Sequence, residues 1–312
     1  MSDLFISDIS SYLGVNKIDN IRNANNFNYP ISSLNEKIGF KIIREEKMAN
    51  SSSHFGYKAV KKLLRKNSKL KKKIQALIVV TQNPDNFGIP HTSAIIHKKL
   101  GLDDSTACFD IGLGCSGYVY GLSIISSFMN SNNFECGVLV TSDQYSNIIN
   151  HQDKQTKMLF GDGATATLIE KNGIFKLNMF NFGTASTNHA SLIKDEKNKL
   201  FMDGRKIFNF TYEYIPKNII NFLDLNKTPI ENIDLFLCHQ GSRVVIDSIR
   251  KKLHLNNNKI PFFASNVGNT VSSSIPLLIK KIIKKTNIKK IVICGFGVGL
   301  SWGIGLIERY EK

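Results

Sequence analysis

Residues Asp110-Ile-Gly-Leu-Gly-Cys115-Ser-Gly-Tyr-Val-Tyr-Gly-Leu-Ser-Ile-Ile125 decide how the rest of the chain is read. A cysteine stands in a Gly-rich turn, and from Gly117 to Met129 the chain is small or apolar, without Pro or charge. This pattern predicts a buried helix with Cys115 at its N-terminus. Free N–H groups and the positive dipole end favour thiolate over thiol there, so Cys115 reads as a nucleophile. Gly112, Gly114 and Gly117 are expected to allow conformations and close approaches that a side chain would block. Two other readings compete. A lone cysteine is commonly a small core residue, and Gly112-Leu-Gly114-Cys-Ser-Gly117 also matches the G-x-G-x-x-G dinucleotide fingerprint. That fingerprint needs a buried strand before it and an acidic residue ending the next strand. Here 105–110 makes a poor, polar strand, and Glu135 opens the next apolar run rather than closing it. A nucleotide-binding Rossmann oxidoreductase or a non-catalytic binding module is therefore the alternative of a different class.

Outward from this stretch, composition sets the bounds. The chain has 312 residues, 42% of them hydrophobic and 21% charged, which suits one large domain or two intimate halves. No apolar run approaches a membrane span, and no secretory signal pattern opens the chain. The five cysteines (Cys108, Cys115, Cys136, Cys238 and Cys294) form no C-x-x-C pair. Neither a disulfide framework nor a metal site is indicated, and the reading is a reduced, cytoplasmic protein. The net charge of +16 includes a lysine-rich block from Lys61 to Lys73. Because Val60, Leu63 and Leu64 recur there at helical spacing, a solvated helix face explains the block better than a nucleic-acid patch. An acidic protein partner or an anionic cofactor fits the charge equally well.

Leu4 to Leu13 reads as a strand, residues 15–50 as loop with short helical pieces, and 54–66 as a helix. Ala76-Leu-Ile-Val-Val80 reads as a strand covered on both faces, followed by a short helix from Ser93 to Leu100. Strands then follow at Cys136 to Thr141 and Thr165 to Ile169. The second half repeats the plan. Asp234 to Cys238 is a strand ending in His239-Gln240; Ala264 to Thr270 is a turn opening a helix from Val271 to Lys284; Lys290 to Cys294 is a strand ending in Gly295. Aligned by element, Thr81 falls opposite His239, Cys115 near Asn269 and Thr141 opposite Gly295, at offsets of 158, 154 and 154 residues. A nearly constant offset argues for a duplicated α/β unit. Cys115, His239 and Asn269 all lie at strand C-termini or the helix N-termini beside them, where α/β folds gather function.

These residues carry a resemblance. Asp110-Ile with Cys115-Ser-Gly, Leu159-Phe-Gly-Asp-Gly-Ala164, His239-Gln240, Gly268-Asn-Thr270 with Ser274-Ile-Pro276, and Gly295-Phe-Gly with Gly299-Leu-Ser-Trp-Gly303 occur in the order and spacing of the thiolase superfamily. The chain resembles 3-oxoacyl-(acyl-carrier-protein) synthase III over essentially its whole length. The resemblance implies a thiolase-like α/β fold: two duplicated βαβαβαββ halves in αβαβα layers, residues 1–170 carrying the nucleophile and 171–312 the His and Asn. It further implies a homodimer and a condensing enzyme without metal or prosthetic group.

By the same resemblance, Cys115 accepts an acyl group from a thioester. His239 and Asn269 hydrogen-bond the thioester carbonyl of malonyl-acyl carrier protein during decarboxylation, and the backbone N–H groups of Cys115 and Val298 form the oxyanion hole. Ile89 matches a position at the floor of the partner's acyl pocket. Gly161, Gly163, Gly295, Gly297 and Gly299 are expected to serve tight turns and close packing of the halves. Arg243, Arg250, Lys251 and Lys252 offer acyl carrier protein a basic face. Where the family commonly reads His-Gln-Ala-Asn, this chain has His239-Gln-Gly-Ser242, with Arg243 one position early. The family's adenine-stacking Trp is absent, the single tryptophan being Trp302, so the donor stays open between acyl-CoA and acyl-carrier protein. The loop Thr81-Gln-Asn-Pro-Asp85 resembles homologues of specialised or surface-glycan pathways. That keeps a second enzymatic reading open, transfer of the acyl group to an amine, hydroxyl or sugar.

Overall fold

The structure is a computed structural model that describes residues 2–46 and 51–310. Ala76–Val80 (β4) shows why its apolar run is unbroken. Leu77 and Val79 point into one hydrophobic cluster and Ile78 and Val80 into another, so the two-residue period of a strand buries both faces. In Leu235–Cys238 (β11) the same alternation sends Leu235 and Leu237 one way, Phe236 and Cys238 the other.

Nine strands form the main sheet, in the order β11-β12-β13-β8-β1-β7-β6-β4-β5. Besides β4 and β11 these are Phe5–Leu13 (β1), Ala107–Ile111 (β5), Cys136–Asp143 (β6), Gly163–Glu170 (β7), Phe175–Thr184 (β8), Lys290–Gly297 (β12) and Ser301–Arg309 (β13). The pairing pattern occurs twice. β4 runs parallel to β6, β6 antiparallel to β7, and β7 antiparallel to β1. In the second half, β11 runs parallel to β12, β12 antiparallel to β13, and β13 antiparallel to β8. Val80 pairs with Thr141 and Cys238 with Cys294. Thr81 and His239 therefore follow equivalent strand ends, while Thr141 matches Cys294 rather than Gly295, a slip of one residue from the sequence alignment.

Three apolar clusters define the layers. Gly117–Ser131 (here α4) and Ser274–Ile282 (α7) pack between the two halves of the sheet, burying Tyr118, Leu122, Ile125, Leu278 and Ile282. One outer face is covered by Ser52–Lys66 (α2) and Thr92–Leu100 (α3), the other by Gly204–Leu225 (α5) and Arg243–Lys252 (α6). This is the αβαβα layering of a thiolase-like fold. In α2, Phe55, Ala59, Val60 and Leu63 face inward while Lys61, Lys62 and Lys66 stay out, as a solvated helix face requires.

Two elements depart from the sequence reading. Residues 15–50 contain a two-stranded ribbon, Asn16–Asp19 (β2) against Ile42–Glu45 (β3), with Asn20–Asn26 (α1) between them; residues 47–50 lie outside the described part. Two four-residue strands, one mostly exposed and the other with Ile43 and Glu45 buried, leave too short an alternation to read. The stretch before the Cys115 turn, judged a poor strand, is β5. It sits at the end of the sheet with every residue half-buried, and the polar Ser105 and Thr106 lie before its first residue.

Candidate active site

Cys115 sits two residues before α4, its side chain 6% exposed. Close approach requires glycine around it. A Cβ on Gly297 would lie 3.0 Å from Cys115 Sγ, one on Gly295 2.6 Å from the Cys115 carbonyl oxygen, and one on Gly117 2.4 Å from Val80 Cγ1. The strand end of one half thus presses directly on the nucleophile turn of the other. A Cβ on Gly161 would meet the Val267 carbonyl at 2.4 Å, a second contact between the halves. Gly112 departs from expectation: it has a negative φ and open space where a Cβ would stand.

His239 follows β11 and Asn269 precedes the turn into α7; they are 3% and 5% exposed. Cys115, His239 and Asn269 line one cavity of about 250 Å³, together with Phe296 and Gly297. His239 Nδ1 lies 2.7 Å from Ser274 Oγ. Asn269 Oδ1 accepts the Val271 N–H at 2.9 Å, while its backbone bridges to Phe160 through Leu159 and Gly161. Both side chains are therefore clamped at one end, with His239 Nε2 and Asn269 Nδ2 left for the cavity. Burial pulls the imidazole down to about 3, offset only in part by a backbone contact from Val271. His239 is neutral at physiological pH.

The surroundings of Cys115 oppose the thiolate expected from its place before α4. Burial, then the Asp143 carboxylate, push the Cys115 thiol well above its ordinary value, and its own backbone N–H opposes them only weakly. Desolvation of an anion outweighs the end of a helix dipole. Asp143, fully buried, accepts from Ser272 Oγ at 2.5 Å, from the Gln82 N–H at 2.9 Å and from Thr81 Oγ1 at 3.3 Å. Burial raises its own carboxyl too, against those donors.

The rest of the wall was not legible in the sequence. Tyr145 packs at a tilt against Phe160, ring centroids 5.0 Å apart, and donates to Gln82 Oε1 at 3.0 Å; Leu192, Met202, Ile207 and Phe208 complete the apolar side. Tyr29, Lys37 and Lys154 also line the cavity. Among the described residues no cluster of potential metal ligands occurs, and no helix is long and apolar enough to cross a membrane.

With this geometry in hand, two family models match. "3-Oxoacyl-[acyl-carrier-protein (ACP)] synthase III" covers residues 109–186, and its C-terminal counterpart covers 223–309. The chain belongs to the 3-oxoacyl-(acyl-carrier-protein) synthase III family. The beta-ketoacyl-[acyl-carrier-protein] synthase III of Clostridium acetobutylicum is 32% identical over 86% of this chain and 88% of its own length. That of Streptococcus mutans is 31% identical over 85% and 88%. A crystal structure of a 3-oxoacyl-(acyl-carrier-protein) synthase III superposes with a TM-score of 0.91 at 28% identity, covering 98% of this chain and 99% of that one. The Burkholderia xenovorans synthase gives 0.87 at 28%, covering 98% and 94%. The Rossmann oxidoreductase reading ends here, for the synthase III matches span both halves and the glycine motif serves the Cys115 turn.

The remaining residues singled out in this synthase III chain do not themselves line the cavity. Val298 follows Gly297 at the end of β12; its carbonyl accepts from Ser301 Oγ at 2.9 Å, and its N–H has no acceptor among the described residues. Ile89 is 84% exposed beside Phe87 at 92%, away from this chain's own cavity. Arg243 opens α6 and stacks 4.6 Å above Phe262; Arg250 pairs with Asp247 at 3.0 Å. Lys252 lies 4.3 Å above Tyr212, and Lys251 is exposed. None of these four basic residues lines the cavity, although Ser242, Val244 and Val245 from the same segment do.

Proposed function

We propose that Cys115, His239 and Asn269 carry out a decarboxylating Claisen condensation between an acyl thioester and malonyl-acyl carrier protein. The supporting observation is their convergence, from both halves, on one largely apolar cavity. Cys115 Sγ attacks the donor thioester carbonyl; its proton leaves with the departing thiol, and the acyl group stays on sulfur. The backbone N–H groups of Cys115 and Val298 receive the developing oxyanion. Malonyl-acyl carrier protein then enters and loses CO2. The resulting enolate oxygen is held by two donors, Asn269 Nδ2–H and His239 Nε2–H, the second available when Nδ1 accepts from Ser274. A neutral imidazole suits this task, because it donates without holding a full charge in a dry site. The enolate carbon attacks the acyl carbonyl, Cys115 leaves as thiolate and is reprotonated, and a 3-oxoacyl thioester departs.

Lys37 and Lys154 at the cavity support an anionic donor such as acyl-CoA or a carrier-bound phosphopantetheine, and Tyr29 offers an aromatic face where the family's Trp is lacking. The basic residues Arg243, Arg250, Lys251 and Lys252 support carrier-protein docking. The end position of β5 in the sheet, together with exposed Phe87 and Ile89, supports a homodimer in which Ile89 reaches the partner's cavity. We assign the nucleophile half to residues 1–170 and the His–Asn half to 171–312, the break falling between β7 and β8, and place the enzyme in the cytoplasm. Incubating the protein with an acyl-CoA panel and malonyl-acyl carrier protein tests the reaction: mass spectrometry should find 3-oxoacyl-acyl carrier protein. Acyl transfer to amines, hydroxyls or sugars without CO2 release would instead establish plain acyl transfer.

A further inference from the structure

The loops that carry His239 and Asn269 face two cavities with alternate residues. His239 and Asn269 line the one already described, whereas Gln240, Gly268 and Thr270 line a second of about 280 Å³; no residue lines both. Its apolar walls come from Leu13, Phe263, Val267, Leu277 and Leu278, and Ser274, the partner of His239 Nδ1, stands in its lining. The Thr270 hydroxyl, on a residue 1% exposed, has no hydrogen-bond partner among the described residues.

Lys280 and Lys281 also line this cavity. Lys280 Nζ donates to Ser11 Oγ at 2.7 Å and Lys281 Nζ to the Phe263 carbonyl at 3.0 Å. Among the described residues neither ammonium pairs with a carboxylate. Lys66 and Lys62 deepen the positive field at Lys280, and nearby Asp8 is already paired with Lys66 at 2.7 Å. Two ammonium groups with neutral acceptors only, beside apolar walls, complement an anion with a hydrocarbon tail.

We propose that the second cavity binds a medium-chain carboxylate, its tail among Leu13, Val267 and Leu278 and its head between Lys280 and Lys281. At about 30 Å³ per water-sized group, the volume holds roughly nine such groups, the size of an eight-carbon acid. Binding here needs none of the chemistry at Cys115, so failure of one assignment leaves the other standing.

Octanoate titrated into the full-length protein by calorimetry is the test, with octan-1-ol as the neutral control. Saturable octanoate binding is expected, at least about tenfold tighter than octan-1-ol and weakened about tenfold or more in Lys280→Glu/Lys281→Glu, through loss of two charge-assisted contacts. Both lysines are exposed on α7, so this variant keeps the fold. Val267→Trp, which fills the cavity, should abolish binding. Absence of saturable binding, equal affinity for octan-1-ol, or octanoate affinity unchanged in the charge variant would overturn the proposal, the last by placing the acid in the cavity of Cys115.

Discussion

The turn at Cys115 and the turn at Asn269 are equivalent pieces of a repeated unit, and they do different work. Each leads into a middle-layer helix, and each is pinned to the opposite half: Cys115 by Gly295 and Gly297, Asn269 by Leu159 and Gly161. The strand ends beside them diverge likewise. His239 ends its strand with a ring aimed at the cavity, whereas Thr81, its counterpart, turns its hydroxyl to Ser52 and Asp143 and serves the structure. Duplication supplied four equivalent positions, and three of them, Cys115, His239 and Asn269, line the cavity while Thr81 does not. The backbone symmetry thus explains where the site is, and side-chain identity explains what each position contributes.

Removing the nucleophile breaks the comparison most severely. Cys115→Ala should abolish acyl-enzyme formation altogether, with no adduct visible by mass spectrometry from any donor that labels the wild type. Next come His239→Ala and Asn269→Ala. Loss of one hydrogen-bond donor to the enolate should lower condensation by roughly 10²–10³-fold, while rapid-quench measurements still find Cys115 acylated. Equal loss of both half-reactions would place these residues in the acylation step instead.

Gly297→Ala tests the contact between the halves. A methyl group 3.0 Å from Sγ must displace the sulfur, so acylation should slow at least tenfold at a stability cost of about 1–3 kcal/mol by chemical denaturation. Thr81→Val, at the position equivalent to His239, is the mild counterpart. It should cost about 1 kcal/mol of stability and leave the rate constants within about twofold of wild type. A large catalytic defect there would mean that the equivalent position of the first half is also catalytic.

Acid titration sharpens the comparison further. His239 takes a proton near pH 6.5 in the unfolded chain but only at about 3 when buried. Between those values the unfolded state binds more protons, so stability falls as pH drops through this window, by on the order of 5 kcal/mol in full. Asp162 opposes this trend. Burial raises its carboxyl to about 6, so the folded state binds the extra proton and its contribution is lost as pH rises from about 4 to 6. His239→Ala should therefore be less acid-sensitive than the wild type in denaturation midpoints measured from pH 7 down to 4. Parallel curves would contradict the buried neutral imidazole.

Much of this was legible because burial writes itself into short patterns. β4, β11 and β12 announced their two covered faces through runs such as Ala76-Leu-Ile-Val-Val80, and the constant spacing between halves revealed the repeat. Cys115, His239 and Asn269 stood out because each ends or begins such an element. The cavity wall did not. Tyr145, Phe160, Leu192, Met202 and Phe208 come from separate loops and short elements, and tertiary packing alone brings them together. β5 was undervalued because the polar Ser105 and Thr106 were read with it and Asp110 interrupts its short apolar run. The burial of Cys115 and the Asp143 carboxylate near it, which oppose a thiolate, were not legible either, because the sequence shows only the helix that follows.

The most direct test of the account is a two-step intact-protein mass measurement on wild type, Cys115→Ala and His239→Ala. Each protein is first exposed to an acyl donor that labels the wild type, then to malonyl-acyl carrier protein. The account predicts one acyl adduct on wild type and His239→Ala and none on Cys115→Ala, with only the wild-type adduct discharged rapidly in the second step. Labelling of Cys115→Ala, or equally fast discharge from His239→Ala, would contradict it.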